Sequence, residues 1–407
     1  MADVCFYFQV HQPLRLKKYS VFSIGNDSNY FDEKKNKEVM EKVARKCYIP
    51  TNDILFHLIK KHDIKIAYSV TGMAIDQFRE HVPHVLESFQ RLADTGNVEF
   101  LNETYYHSLS YLFSKKEFSD QVKKHEKVVK KLFGQKPSVF RNTELIFNNE
   151  LGKYVEDMGY KAILAEGASH ILDWRSPNYV YRPVSCSKIK LLLKNYKLSD
   201  DIAFRFSNKG WKEHPLTTEK YASWLSEVDG ENVNLFMDYE TFGEHQWADT
   251  GIFNFLKNLP EKLKSKGIGF KLPSEVAEHE VKDTLDYHNF VSWADVERDL
   301  SAWTGNKIQD SALEHLYKME QAILKSRDKK LIEDWRRLQT SDHFYYMCTK
   351  WFNDGDVHKY FNPYDSPYEG YIAFMNVLQD MKVRLEKKET SSVLSKMPLV
   401  KGSSTNI

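Results

Sequence analysis

The feature that most constrains this chain is a change of rhythm partway along it. Up to about residue 280, short apolar runs alternate with longer amphipathic stretches; beyond that point the strand-like runs stop. Val4–Val10 (VCFYFQV) reads as a buried strand, and so do Ile64–Val70, Val98–Leu101, Ser138–Arg141, Lys161–Ala165, Ile189–Leu193, Val233–Met237 and Ile268–Leu272. The stretches between several of them read as helices. Ser114-Lys-Lys-Glu117 is a capping box ahead of an apolar face at Phe118, Val122, Val129 and Leu132, with Gly134 and Pro137 as stop signals. A second helix runs from Asn149 through Leu151, Val155 and Met158 to Gly159, and the next strand starts two residues later. Strand, loop, helix, short turn and strand make a βαβ unit, which argues for a parallel sheet. Repeated units make either a barrel or a doubly wound sheet.

After about Glu280, apolar residues recur at helical spacing within charged stretches: Leu313, Leu316 and Ile323, then Leu331, Trp335 and Leu338, then Tyr371, Met375 and Leu378. This predicts a helical C-terminal part, interrupted by an aromatic loop at Phe352–Pro367. The last twenty residues, KETSSVLSKMPLVKGSSTNI, read as a loose tail. The expected division is therefore an α/β part over 1–280, a helical part over 281–387 and a tail over 388–407.

Composition excludes several function classes. Of 407 residues, 42% are hydrophobic and 28% charged, which sets aside a disordered chain. Lys plus Arg number 58 against 57 Asp plus Glu, so no broad cationic field awaits a nucleic acid or an anionic membrane. No apolar stretch approaches the ~18 residues of a membrane span, and Met1-Ala2-Asp3 leads straight into a strand rather than a signal peptide. Cys5, Cys47, Cys186 and Cys348 are scattered, without metal-ligand spacing. The expectation is a soluble, cytoplasmic protein that needs no metal and no cofactor; nothing in the sequence sets an oligomeric state.

In a parallel barrel the chemistry sits where strands end. Here those ends deliver His11-Gln12-Pro13, Thr71-Gly72, Glu99 with Asn102 and Glu103, Arg141-Asn142-Thr143-Glu144, Glu166-Gly167 and Asp238-Tyr239-Glu240. Two carboxylates flanking a bond are the minimum equipment for glycoside hydrolysis: one protonates the leaving oxygen, the other attacks or activates water. Glu144 and Asp238 follow apolar strands of different βα units and could face each other across a cleft. As isolated residues they could equally be a loop cap and an Asx turn.

The segments HQP at 11–13, GNVEF at 96–100, FRNTEL at 140–145, MDYETFGEH at 237–245 and SWADVERDLSAWTGN at 292–306 resemble, in order, the five sequence regions of glycoside hydrolase family 57, in its α-amylase-like branch. The likeness continues in HKYFNPY at 358–364. It implies an incomplete seven-stranded (β/α) barrel completed by a C-terminal helical domain, and a retaining hydrolase of α-glucans. By that resemblance Glu144 is the nucleophile and Asp238 the general acid/base. His11, Glu99 and Glu240 match positions that hold sugar hydroxyls, and Asp299 and Trp303 match the fifth region, brought to the cleft by the helical part. One departure stands at Gln9, where some relatives carry a second His; Gln still hydrogen-bonds a hydroxyl. Transfer to a second sugar would use the same site, with acceptor surfaces expected from Tyr105, Tyr106, Trp247, Tyr360, Phe361 and Tyr364. Two other classes compete: a metal-dependent deacetylase, which would need a paired HxH or HxxxH motif absent from the strand ends, and a glucan-binding protein without activity, which need not keep both acids.

Overall fold

The computed structural model describes residues 1–350 and 362–394. The described residues contain nine strands: β1 (Asp3–Val10), β2 (Ile66–Val70), β3 (Val98–Phe100), β4 (Val139–Arg141), β5 (Ala162–Glu166), β6 (Tyr181–Pro183), β7 (Lys190–Lys194), β8 (Asn232–Asp238) and β9 (Asp283–Leu285). They form two sheets, one in the order β3-β2-β1-β8 and one in the order β4-β5-β7-β6-β9. Every ladder of the first sheet is parallel, as the βαβ reading requires, and so are β4–β5 and β5–β7. Both edges of the first sheet reach the second. At one, Asn102 N donates to Val139 O (3.1 Å) and Arg141 N to Asn102 O (2.9 Å); at the other, Asn195 N donates to Asn234 O (2.9 Å).

Two expectations change. Ile268–Leu272 makes no strand, only a bridge between Phe270 and Val4. Gly267, at φ 75°, turns the chain just before it, the helix Pro273–Val276 begins just after, and Asp3 Oδ1 takes the Gly269 N–H at 3.0 Å. Conversely, β6 and β9 carry no apolar run that would announce them, and β9 lies beyond residue 280, where no strand was expected. They pair with each other in parallel, and β6 lies antiparallel to β7.

The helix Lys115–Phe133 starts and stops where its signals stand. Ser114 Oγ accepts from Glu117 N at 3.2 Å, and Gly134 closes it at φ 68°. Only half of the capping box forms, because the Glu117 carboxylate, fully buried, turns away to Arg336. Beyond Ser301 the regular elements among the described residues are helices, including Lys307–Lys318, Glu320–Ser326, Lys329–Arg337, Ser341–Tyr345 and Pro367–Leu394. Their apolar faces bury Leu313, Leu316, Trp335, Leu338, Phe374 and Met381 together with Leu16, Tyr19, Tyr30 and Phe31 from the segment after β1. The last helix runs to Leu394, past the expected start of the tail. The remainder of the tail, with Tyr360 and Phe361, lies outside the described residues. No helix among the described residues is long and apolar enough to cross a membrane.

Candidate active site

The strand ends converge on one cleft, lined among others by His11, His107, Glu144, Asp238, Glu240 and Trp293. Glu144 follows β4 in a tight turn with φ 57° and ψ 24°, and Leu145 continues it at φ 52°. Non-glycine residues avoid this left-handed region, and such strain persists where the surroundings over-determine it. Here they do: Leu145 N bonds Asn142 O (3.0 Å), Ile146 N bonds Thr143 O (3.0 Å), and Trp293 N bonds Glu144 O (3.1 Å).

The Glu144 carboxylate receives donors from three distant segments. Trp293 Nε1 donates to Oε2 at 2.7 Å, Ser341 Oγ to Oε1 at 3.0 Å, and His107 Nε2 lies 3.1 Å from Oε1. These three partners on two oxygens fix the direction of the carboxylate. His107 also meets Glu103 Oε2 through Nδ1 at 3.2 Å. Burial on its own would discharge this imidazole, but the hydrogen bonds to Glu103 and Glu144 win and hold its pKa up to about 9. Glu103 is also buried, which would raise its pKa, yet the His107 bond and the charges of His107 and Arg141 bring it down to about 2.

His11 stacks on His107 with ring centroids 4.1 Å apart. Its Nε2 lies 2.9 Å from Asp342 Oδ2 and its Nδ1 2.9 Å from Thr71 Oγ1. Burial and the neighbouring His107 charge lower its pKa, which favours neutral His11. With the Asp342 carboxylate as acceptor, the network places that ring's proton on Nε2.

Asp238 ends β8, opposite Gln9 in register. Glu240, two residues on, is buried and accepts from Tyr48 Oη and from Gln12 Nε2 at 3.3 Å. Burial, then the Asp238 charge, raises its pKa to about 8. Gln9 lines the cleft, but its amide is engaged within the protein: Oε1 accepts from Tyr7 and Ser69, and Nε2 donates to Glu103 at 3.1 Å.

The structure thus brings His11, Glu144, Asp238 and Glu240 together and leaves three expected residues elsewhere. Glu99 does not line the cleft; its Oε2 accepts from Ser274 N at 2.9 Å. Residues 99, 101 and 103 alternate onto one face, and Glu103, about 13 Å further along an extended chain, is the one at the strand end. Asp299 is exposed and accepts from Ser301 N at 2.8 Å. Trp303 is 1% exposed within the helical cluster, with no face left for a sugar. Among the described residues the indole that reaches the cleft is Trp293, from the same SWADVERDLSAWTGN segment.

Of the expected acceptor surfaces, Tyr105 and Tyr106 are buried, their hydroxyls donating to Asp76 (2.9 Å) and Glu333 (2.7 Å). Tyr364 is buried too, and the 51% exposed Trp247 lies outside the cleft lining, under Lys46 Nζ at 4.7 Å. Ser341 and Asp342 were invisible to sequence reading, because nothing in TSDHF marks a site 197 residues from Glu144 along the chain. Glu103 and His107 stood in NETYYH without an assigned role. No group of three or more His, Cys, Asp or Glu among the described residues could hold a metal ion.

The model of the family described as "Glycosyl hydrolase family 57" matches residues 5–291. A protein of Methanocaldococcus jannaschii, provisionally named an alpha-amylase, is 45% identical over 97% of this chain and 87% of its own length. Among solved structures, the 4-alpha-glucanotransferase of Thermococcus litoralis aligns over 94% of this chain with a TM-score of 0.68 at 14% identity; the match spans 60% of that enzyme's length. A branching enzyme of Thermococcus kodakaraensis aligns over 95% of this chain and 94% of its own, with a TM-score of 0.64 at 14% identity. The likeness to these structures shows a shared α/β fold. Matched over most of its length by the family model, and nearly end to end by a relative at 45% identity, the chain belongs to glycosyl hydrolase family 57 and is a glycoside hydrolase.

Proposed function

We propose that this protein is a retaining hydrolase of α-1,4-glucosidic bonds in starch- or glycogen-like glucans. In this reading β1, β2, β3, β4, β5, β7 and β8 close into an incomplete (β/α)7 barrel, and a C-terminal helical domain completes the cleft. Glu144 attacks the anomeric carbon while Asp238 protonates the leaving oxygen; Asp238 then takes a proton from the water that releases the sugar. The observation that carries it is the pairing of Asp238, across one cleft, with a Glu144 carboxylate aimed by Trp293, Ser341 and His107. The α-amylase name of the 45% identical relative supports the choice of α-glucan.

Both hydrolysis and transfer pass through one glycosyl-enzyme and differ in what attacks it. Transfer needs an acceptor site that binds sugar and keeps water out. With Tyr105 and Tyr106 committed to internal partners, hydrolysis is favoured. Maltotriose alone as substrate tests this: reducing ends should rise in step with bond cleavage. Longer glucans without new reducing ends would make it a 4-α-glucanotransferase. The first product should be the α-anomer by NMR, and Glu144→Gln and Asp238→Asn should each lose several orders of magnitude in turnover while staying folded. A β-anomer, or near-normal turnover in either variant, would overturn the mechanism.

A further inference from the structure

Glu144 is not the only carboxylate bonded to His107. Behind the ring, Glu103 is completely buried, and it is held in place from the far side by Gln9. Tyr7 Oη (2.8 Å) and Ser69 Oγ (2.9 Å) both donate to Gln9 Oε1, which turns the Gln9 amide nitrogen onto Glu103 Oε1 at 3.1 Å. Glu103 Oε2 meets His107 Nδ1 (3.2 Å), and His107 Nε2 meets Glu144 Oε1 (3.1 Å). A neutral imidazole carries one N–H and would set a lone pair against one of two carboxylates. An imidazolium donates to both.

The position of the second carboxylate has a consequence for the reaction cycle. With Glu144 ionised, as attack on the sugar requires, Glu103, His107 and Glu144 together carry two negative charges and one positive. When Glu144 bonds to the sugar its charge is lost, and a buried His107 cation with no other partner would be left uncompensated, at a cost of several kcal/mol. With Glu103 behind it, the remaining pair stays neutral and no proton has to move. We propose that Glu103 is a positioning residue that keeps His107 charged throughout the cycle, so that His107 holds Glu144 for attack and receives it again as the leaving carboxylate. This rests on the assignment of Glu144 as nucleophile. The other charged or titratable groups facing this ring are His11, stacked on it; Asp342, beyond His11; and Arg141. His125 Nδ1 packs behind Glu103 at 3.3 Å from its backbone nitrogen.

The test uses the full-length chain and α-maltosyl fluoride, whose leaving group needs no proton, so that the pH profile reports on the nucleophile's surroundings. Glu103→Gln removes one of the two negative charges that hold the proton on His107. Its kcat/KM should fall about 100-fold, as expected for loss of a charge-assisted bond, and its alkaline limb should move down by about one pH unit or more from the parent's. Glu103→Asp should restore much of the limb, and His107→Gln should abolish it. Thermal melting of each variant checks that it is folded. A Glu103→Gln enzyme with the parent's limb, whether active or merely weak, would overturn the proposal. Mass spectrometry after reaction with 5-fluoro-α-maltosyl fluoride separates the two failures. No adduct on Glu144 sinks the nucleophile assignment and this proposal with it; an adduct with an unmoved limb sinks this proposal alone.

Discussion

Trp293 does two jobs with one ring. Its N–H fixes Glu144 Oε2 at 2.7 Å, while its face covers the Arg141 guanidinium at 4.8 Å. Trp293→Phe keeps an aromatic surface and deletes the donor, so kcat should fall about 10- to 100-fold, in line with loss of a hydrogen bond to a charged group. Steady-state kinetics on maltooligosaccharides reads that fall, and a melting curve should move little; unchanged kcat would mean the bond does not matter to the reaction. Glu240 supplies a pH test. Its folded pKa of about 8 stands well above the unfolded value of about 4.3, because burial and the Asp238 charge favour the neutral acid. Between those values the folded chain holds a proton that the unfolded chain has released, so stability falls as pH rises through this window. Glu240→Gln removes the penalty while keeping an acceptor for Tyr48 and Gln12. Its melting temperature should exceed the parent's by roughly 2 °C or more at pH 8, with the difference shrinking toward pH 5. A constant difference across that range would contradict the raised pKa.

At the scale of elements, the helix Lys115–Phe133 shows a local signal overruled by a distant partner. Its capping-box glutamate leaves the helix end to meet Arg336, with Nε to Oε1 at 2.9 Å and Nη2 to Oε2 at 3.0 Å. Gln121 Nε2 adds a third bond to Oε1 at 3.0 Å. This two-pronged pair ties the helix after β3 to the helix Lys329–Arg337. Arg336→Met strands a buried carboxylate and should cost about 3 kcal/mol; the double variant Glu117→Leu/Arg336→Met should recover much of it. Thermal or urea unfolding measures both. A single variant as stable as the parent would show that the pair carries no weight.

Considered as a whole, the molecule has a cleft that neither part furnishes alone. Glu144, Asp238 and Glu240 come from the strand ends, Ser341 and Asp342 from the helix Ser341–Tyr345, and Trp293 from the segment between. The two parts also share an apolar cluster, since Leu16, Tyr19, Tyr30 and Phe31 pack among the C-terminal helices. A chain ending at Glu280 would therefore lose Trp293, Ser341 and Asp342 and uncover that cluster. It should be insoluble, or soluble and inactive, when its expression and starch hydrolysis are compared with the full chain. A soluble fragment with full activity would show that the helices are dispensable.

The parallel strands were legible because burial on both faces writes each as a short apolar run, and a helix between two such runs forces them parallel. Strands β6 and β9 were not, since the three-residue segments YRP and DTL carry no apolar run. Glu144 and Asp238 were singled out by the ordered segments that resemble the family, since position alone left a loop cap and an Asx turn open; in the structure both line the cleft. That Glu103 and not Glu99 meets His107, and that Trp293 and not Trp303 lines the cleft, belonged to tertiary structure. Each pair shares a residue type and a sequence neighbourhood, and what separates them is which end of the strand, or which apolar cluster, the side chain reaches. The same holds for Ser341 and Asp342, and for the charges of His107 and Glu240. A pKa or a hydrogen bond is set by what lies within a few ångströms, and segments hundreds of residues apart become neighbours only when the chain folds.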